Sequence, residues 1–346
     1  MRLYSRRSLS SAVNVALVSI VLLLGPMLGV SAAPQATNEI LTDDPSRGEL
    51  FELMRSYLEA EALPGQRQQY KLQLTFSFPH DALWKDPLQQ SEQRINQLFG
   101  IDLSHHNADA CRPLSPCQID WDLLSKQQVR FAYLKASQGV SGIDPYFDVY
   151  RKGARRLPSS AKVYVGPYHF LSANGTPEAQ AAHFLAVIAN KLADDDLPPD
   201  LDLEADLRMG ADKKLILGRD NRPYDFWTPV PSAQILNRAL TWLTVVAKAT
   251  GRKPVLYTNR EWWRQRIGDE AKFEAFRAFT IWISDYSVSG LGIETPHVPN
   301  NSPWTIWQFT DNARFESGGI GGGRVVDASV FNGTYVSFQK AFGVTQ

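Results

Sequence analysis

The chain has 346 residues, of which 44% are hydrophobic and 21% charged, so it can form one α/β barrel or two ordinary domains with an ample core. It carries 36 basic and 36 acidic residues, and this neutral balance argues against a nucleic-acid-binding protein, which needs a basic face. Aromatic residues make up 11% of the chain, a supply that suits sugar stacking and core packing equally well.

The N-terminus has the pattern of a targeting segment. Arg2, Arg6 and Arg7 precede an apolar run over residues 12–30, and the small residues of Val30–Ala33 suit cleavage. We therefore expect residues 1–33 to be a signal peptide, and the mature protein to be periplasmic or secreted without a stable membrane span. Because the apolar run is long, retention as an uncleaved membrane anchor is the alternative.

Residues 34–95 form an N-terminal extension whose role the sequence does not indicate. Apolar residues recur at helical spacing over residues 50–58. Over residues 72–78 they alternate with polar ones, which predicts a half-buried strand.

The only two cysteines, Cys111 and Cys117, stand six positions apart around a Pro-rich loop. An exported protein meets an oxidising environment, so we predict a structural disulfide that closes this loop. No histidine pair stands nearby at metal-ligand spacing, which makes a zinc site a poor interpretation.

Strand and helix patterns alternate over residues 96–346. Eight short apolar runs predict strands at Phe99–Leu103, Phe131–Lys135, Lys162–Phe170, Asp200–Glu204, Pro254–Tyr257, Phe279–Ile283, Thr305–Phe309 and Val325–Val330. Five helical patterns separate the earlier strands, at Trp121–Gln128, Asp144–Arg156, Pro177–Leu192, Ser232–Thr250 and Glu261–Phe276. Loops with little room for helices join the last three strands. The alternation implies a parallel sheet, and eight strands suggest a closed barrel.

The fourth predicted strand is rich in carboxylates. Asp200, Asp202 and Glu204 alternate with Leu201 and Leu203, so the side-chain period of two puts the acids on one face and the leucines on the other. Neighbouring carboxyl groups repel, so one tends to keep its proton and can act as an acid while the other stays ionised. Cleavage of a glycosidic bond needs such a pair. A solvated acidic face is the simpler alternative.

The ends of other strands favour the catalytic interpretation, because the carboxyl ends of barrel strands meet at one face. Asp102 lies near the end of the first strand, Asp202 and Glu204 at the end of the fourth, and Asp327 in the eighth. Isolated charges inside apolar strands are costly unless they are paired or functional. We therefore predict an acidic active site.

The remaining polar and aromatic residues at these strand ends also have simpler, structural interpretations. Lys135 suits an ion pair with a carboxylate, and His106 suits a loop cap. Tyr168, Trp282 and Trp307 suit either core packing or a wall on which sugar rings stack. Four carboxylates would also suit Mg²⁺ or Mn²⁺, but no phosphate-handling motif accompanies them, so we expect neither a metal nor another cofactor.

Ten short motifs follow one another over roughly residues 99–338. They are Gly100-Ile-Asp-Leu-Ser-His-His106, Ile119-Asp-Trp121, Tyr133-Leu-Lys-Ala-Ser137, Asp144-Pro-x-Phe147, Gly166-Pro-Tyr-His-Phe170, Asp202-Leu-Glu204, Pro254-Val-Leu-Tyr257, Trp282-Ile-Ser-Asp-Tyr286, Trp307-Gln-Phe309 and Val326-Asp327. In type and order they resemble the family 25 glycoside hydrolases, the lysozyme-type N-acetylmuramidases. The resemblance implies an irregular TIM-like barrel of five β/α units plus three strands. It also implies cleavage of the β-1,4 bond between N-acetylmuramic acid and N-acetylglucosamine in peptidoglycan.

The resemblance also implies residue roles. Glu204 matches the general acid, and Asp202 matches a residue that is either the nucleophile or the group that orients the substrate's acetamide. Asp102 and Asp327 match the remaining active-site carboxylates. The expected substrate contacts are Tyr168, Trp282 and Gln308, to which we add Lys135 and His106.

Three features depart from the family pattern. Where the family often has Lys-Ala-Thr-Glu-Gly, this chain has Lys135-Ala-Ser-Gln-Gly139, so an acidic contact becomes the amide of Gln138. The Cys111–Cys117 loop and the long segment Asp206–Pro231 are insertions. These departures leave two alternatives to a monomeric enzyme acting on peptidoglycan: a catalytically inactive wall-binding protein, and a hydrolase of another N-acetylated glycan such as chitin.

Overall fold

The structure of the protein is a computed structural model that describes residues 38–41, 75–83, 98–109, 119–189, 192–212, 214–287, 289–316, 319–320 and 325–344. The expected signal peptide, the helical pattern over residues 50–58 and the predicted Cys111–Cys117 disulfide lie outside the described residues. Within the described ranges, no helix is both long and apolar enough to cross a membrane.

The described residues contain eleven strands. They are β1 (Glu39–Ile40), β2 (Phe76–Phe78), β3 (Leu98–Leu103), β4 (Val129–Gln138), β5 (Gly142–Ile143), β6 (Tyr164–Phe170), β7 (Asp200–Leu203), β8 (Val255–Asn259), β9 (Thr280–Ser284), β10 (Ile306–Phe315) and β11 (Val326–Phe331). The α-helices of the same ranges are α1 (His105–Asp109), α2 (Trp121–Lys126), α3 (Phe147–Ala154), α4 (Pro177–Val187), α5 (Ser232–Thr250), α6 (Arg260–Arg266) and α7 (Tyr335–Phe342).

Eight of these strands close into a barrel in the order β3-β4-β6-β7-β8-β9-β10-β11. Neighbours are parallel from β3 round to β10, and β11 runs antiparallel between β10 and β3. Helices follow the first five barrel strands, whereas the described residues between β9, β10 and β11 contain no α-helix. The predicted irregular barrel of five β/α units plus three strands is confirmed, and all eight predicted strands are present.

Local sequence accounts for where the helices end. The last residue before α6 is Asn259, whose side chain accepts from the amides of Glu261 and Trp262, as a good N-cap does. The helix predicted over Glu261–Phe276 is broken in two, because Gly268 adopts a φ of +74° after α6. A 3₁₀ segment at Glu270–Phe276 covers the rest of the predicted helix.

The N-terminal end of the barrel interior is apolar. Residues at or near the starts of three strands, Leu98, Phe131 and Tyr164, meet Phe331 of β11 there. Phe338 of α7 packs against the rings of all three aromatic residues, with centroids 5.2–5.7 Å apart. α7 therefore closes this end.

Two described segments of the N-terminal extension are strands added to the barrel sheet. β1 pairs in parallel with β5, and β2 pairs in parallel with the end of β10. Phe76 and Phe78 of β2 are fully buried, and their rings pack on Phe99 outside the barrel. The strand predicted over residues 72–78 is described at Phe76–Phe78.

Candidate active site

The carboxylates of the fourth predicted strand point into the barrel. Leu201 and Leu203 belong to the core between barrel and helices, so the alternation of β7 turns Asp200 and Asp202 to the inside. Glu204 follows β7 directly and is 7% exposed, against 1% for Asp202. The strand thus carries its acids from the buried interior up to the barrel mouth.

A chain of hydrogen bonds joins β3, the first barrel strand, to this region. Gln308 of β10 donates from Nε2 to Asp102 Oδ2 at 2.9 Å, and its Oε1 accepts from the Tyr257 hydroxyl at 2.9 Å. Tyr257 stands next to Asp202 in the register of β7 and β8. The amide of Gln308 therefore holds Asp102 on the same side of the barrel as Asp202.

The phenol of Tyr286, just after β9, lies within the electrostatic influence of Glu204 and Asp327. Burial raises the pKa of Tyr286 well above its ordinary value, and the negative charges of Asp311, Asp327 and Glu204 raise it further. These charges act because they lie close to the hydroxyl. Asp327 lies two residues before Ser329, whose hydroxyl accepts from the buried Trp282, so the alternation of β11 turns Asp327 inward. We infer that Asp102, Asp202, Glu204 and Asp327 face the same end of the barrel interior.

Aromatic rings form the floor beneath the carboxylates. Trp282 is fully buried, donates from Nε1 to Ser329 Oγ at 3.1 Å, and packs against Tyr257 with ring centroids 5.0 Å apart. Tyr168 is 3% exposed on the same inner face. Contact of Trp282, Gln308 or Tyr168 with a sugar stays a prediction.

Trp307 is placed differently. It lies on the outer face of β10, packs on Phe309 and Trp304, and donates from Nε1 to the carbonyl oxygen of Asp285. The interpretation of Trp307 as part of a sugar-stacking wall is wrong. Its neighbours Ile306 and Gln308 point into the barrel, so the alternation of the strand turns Trp307 outward, away from the mouth.

Lys135 and His106 also lie at the mouth. Lys135 Nζ donates to Gln138 Oε1 at 2.7 Å and stands 5.3 Å from the ring centroid of Phe170. The His106 ring packs against His105 at a tilt of 40°, with centroids 3.9 Å apart. His105 is held by Asp144, whose carboxylate accepts from both its amide and its Nδ1. A loop-pinning role is visible here, and substrate contact stays a prediction.

Two residues of this region were not singled out from the sequence. Asp311 is 6% exposed and lies where the register of β10 shifts, and its charge acts on Tyr286. Thr310-Asp311-Asn312 has the composition of a loop, so only the position after a strand motif signalled it. Tyr286 ends a quoted motif but had no assigned role.

The chemistry available at this end is acid catalysis. One protonated carboxyl group and a neighbouring carboxylate can protonate a leaving oxygen and stabilise the positive charge left on a sugar ring. The hydrogen bonds from Gln308 and the closely packed floor hold these groups in place before substrate arrives.

A family model described as Glycosyl hydrolases family 25 matches residues 101–318. This range begins within β3 and includes the next six barrel strands, up to β10, but not β11. The chain belongs to this family. Membership in family 25 confirms the predicted class of enzyme, a glycoside hydrolase.

Curated relatives agree with the assignment. The chain is 27% identical over 238 residues to Lysozyme M1 of Streptomyces globisporus, covering 68% of each chain. It is 25% identical over 262 residues to an N,O-diacetylmuramidase of Arthroderma benhamiae, covering 73% of this chain and 90% of that one.

Solved structures share the fold. A family 25 glycosyl hydrolase from Bacillus anthracis superposes with a TM-score of 0.53 at 24% identity, over 72% of this chain and 95% of that one. A bacterial lysozyme from Streptomyces coelicolor gives 0.54 at 23% identity, over 71% and 97%.

Proposed function

We propose that this family 25 member is a peptidoglycan hydrolase that cleaves the β-1,4 bond between N-acetylmuramic acid and N-acetylglucosamine. The observation that carries the proposal is the convergence of Asp102, Asp202, Glu204 and Asp327 on one end of the barrel interior. The similarity to a lysozyme and a diacetylmuramidase supports the choice of glycan.

Glu204 acts as the general acid in this proposal. Its carboxyl group donates a proton to the glycosidic oxygen while the bond from that oxygen to the anomeric carbon breaks. Asp202, two residues deeper in the strand, stays ionised and stabilises the positive charge at the anomeric carbon. Water then adds to that carbon and gives its proton to the Glu204 carboxylate, which restores the acid. Glu204 is nearest the mouth, which suits a group that must reach the leaving oxygen.

The test is digestion of peptidoglycan by the wild-type protein and by Glu204→Gln, followed by borohydride reduction and mass spectrometry of the products. We expect reduced muramic acid ends from the wild type and none from the variant. Glu178→Gln is the matched control, because Glu178 is exposed on α4, and it should release products at the wild-type rate.

Other outcomes reject parts of the proposal. Reduced glucosamine ends would retain the hydrolase but reject the bond assignment. Products from Glu204→Gln at near-normal rates would reject Glu204 as the acid. A wild-type protein that sediments with the wall and releases no ends would be a binding module instead.

The export that we propose fits the same substrate, since peptidoglycan lies outside the cytoplasmic membrane. We propose cleavage after residue 33, an extension over residues 34–95, a hydrolase barrel over residues 96–346, a closed Cys111–Cys117 disulfide and a monomeric mature enzyme. N-terminal sequencing of the exported protein, its intact mass with and without reduction, and its sedimentation velocity test these points.

A further inference from the structure

A cleft of about 620 Å³ opens at the rim of the barrel, beside the end of β4. Three segments line it: Glu39–Leu41 at β1, residues 138–142 between β4 and β5, and Leu207–Ala211 at the start of the insertion. We call it the rim cleft. Its β1 wall comes from the N-terminal extension and lies outside the part of the chain matched by the family model.

The rim cleft is linked to the candidate active site by a hydrogen bond. Gln138 lines the cleft, and its Oε1 accepts from Lys135 Nζ at 2.7 Å. Ser172 lines it too, one residue after Leu171, whose amide donates to the carbonyl of Asp202 at 2.9 Å. Through Gln138 the cleft adjoins Lys135 at the barrel mouth, beside the place where a sugar would bind.

One wall presents an open strand edge. The amides of Glu39 and Leu41 donate to carbonyls of the β5 segment at 2.8 and 3.0 Å. Because backbone groups alternate along a strand, the N–H and C=O of Ile40 point away from β5. β1 is the last strand of the sheet among the described residues, so that edge carries no described strand.

Another wall presents a second strand edge, which no described strand covers. Gly210 donates from its amide to the carbonyl of Lys214, and the carbonyl of Arg208 accepts from Ile216. The intervening Met209 opposes Leu215 in an antiparallel bridge, so its N–H and C=O point away from that partner.

This second wall is held firmly. The buried Asp206 carboxylate accepts from the Ala173 amide at 2.7 Å and the Ser172 hydroxyl at 2.9 Å. The buried Asp225, at the far end of the insertion, accepts from the Asp206 amide and from Arg266 Nε. Two anchored carboxylates keep the Arg208–Gly210 edge in position beside the mouth.

We propose that the rim cleft binds the peptide stem carried by muramic acid, as an extended strand between Ile40 and Met209. Strand edges recognise peptides through main-chain hydrogen bonds, and the cleft volume suits a few residues. The inference rests on the proposed function, because cleavage beside muramic acid brings the stem, rather than a bare sugar hydroxyl, to this side of the site.

The experiment compares two synthetic tetrasaccharides of alternating N-acetylglucosamine and N-acetylmuramic acid, one bare and one with a tripeptide stem on each muramic acid. We expect the wild-type kcat/KM to be about tenfold higher for the stem-bearing substrate, which corresponds to one or two net main-chain hydrogen bonds. Ile40→Pro should reduce this preference to less than about threefold, because proline has no N–H.

Ile40→Ala is the matched control, since it keeps the N–H and removes only a side chain that is 55% exposed. Proline suits an edge position whose N–H does not pair within the sheet, so the fold should tolerate it. Ile40→Ala should keep the tenfold preference.

Three results would overturn the inference: no preference in the wild type, an unchanged preference in Ile40→Pro, or a gain from longer bare strands as large as that from the stem. Failure to cleave either tetrasaccharide would instead reject the proposed function. Amide NMR shifts of Ile40 and Met209 in Glu204→Gln, on adding the stem-bearing tetrasaccharide, then decide the inference separately, and unchanged shifts would reject it.

Discussion

The two ends of the barrel interior are built by the same strands but hold opposite chemistry. At the N-terminal end, Phe131, Tyr164 and Phe331 pack under α7. At the other end, Asp202 and Glu204 face the mouth. Both sets are buried, so burial alone does not separate core from site. The distance along the strand does, because only the open end lets a substrate reach a costly buried charge.

The packing of glycines shows how closely the apolar end is filled. A Cβ on Gly100 would lie 2.2 Å from the Phe131 ring. The acidic end instead relies on polar contacts, such as the chain from Asp102 through Gln308 to Tyr257. The apolar end therefore supplies stability and the acidic end supplies function, and substitutions at the two should act on different measurements.

The largest effect is expected at the acidic end, from Asp202→Asn. It should lower kcat on peptidoglycan by about 10³-fold, since a neutral amide stabilises a cationic sugar ring poorly. The melting temperature should stay the same or rise, because a buried charge is removed. Leu201→Ala, on the outward face of the same strand, should lower the melting temperature and leave kcat nearly unchanged. Loss of activity in Leu201→Ala and not in Asp202→Asn would break the comparison.

At the apolar end, Phe338→Ala should lower the free energy of unfolding by about 3–5 kcal/mol, because α7 loses the ring that meets Phe131, Tyr164 and Phe331. Denaturant unfolding measures this. The kcat of the variant, measured below its melting temperature, should match the wild type. A large fall in kcat with normal stability would show that the two ends are coupled.

His169 tests whether burying a charge is also costly outside the barrel interior. Its ring lies between β6 and the helices. It forms a hydrogen bond with the Ser137 hydroxyl and stacks on Trp242. Burial lowers the pKa of His169 from 6.5 to about 3, so the unfolded chain binds the extra proton between these values. The contribution of His169 to the free energy of unfolding is greatest above pH 6.5. It falls on acidification, by about 2 kcal/mol between pH 7 and pH 5. Unfolding of His169→Gln should lack this part of the slope.

The smallest effect is expected from Tyr257→Phe, which removes the hydroxyl that donates to Gln308. The free energy of unfolding should fall by about 1 kcal/mol, and kcat by less than about tenfold, since the Gln308 bond to Asp102 remains. Calorimetry and initial rates on peptidoglycan measure both. A loss as large as that of Asp202→Asn would make Tyr257 a direct participant in the reaction.

The sequence by itself determined the barrel and the acids within it. Alternation at Asp200–Glu204 sorts residues by face, and the eight apolar runs predict eight strands, because both depend on a local period that the backbone imposes. Asp102 and Glu204 lie at one face because the carboxyl ends of parallel barrel strands meet there. Asp327 stands at the start of β11 and reaches the same face because that strand is antiparallel.

Only the tertiary structure decided which side chains meet across strands. Trp282 and Trp307 have similar sequence settings, yet the first lies inside the barrel and the second outside. Asp311 reads as a loop residue and lies near Tyr286. The pairing of β1 with β5 joins residues about a hundred positions apart. Such contacts depend on register and barrel closure, which no local period encodes, and they decide the shape of the mouth and of the rim cleft.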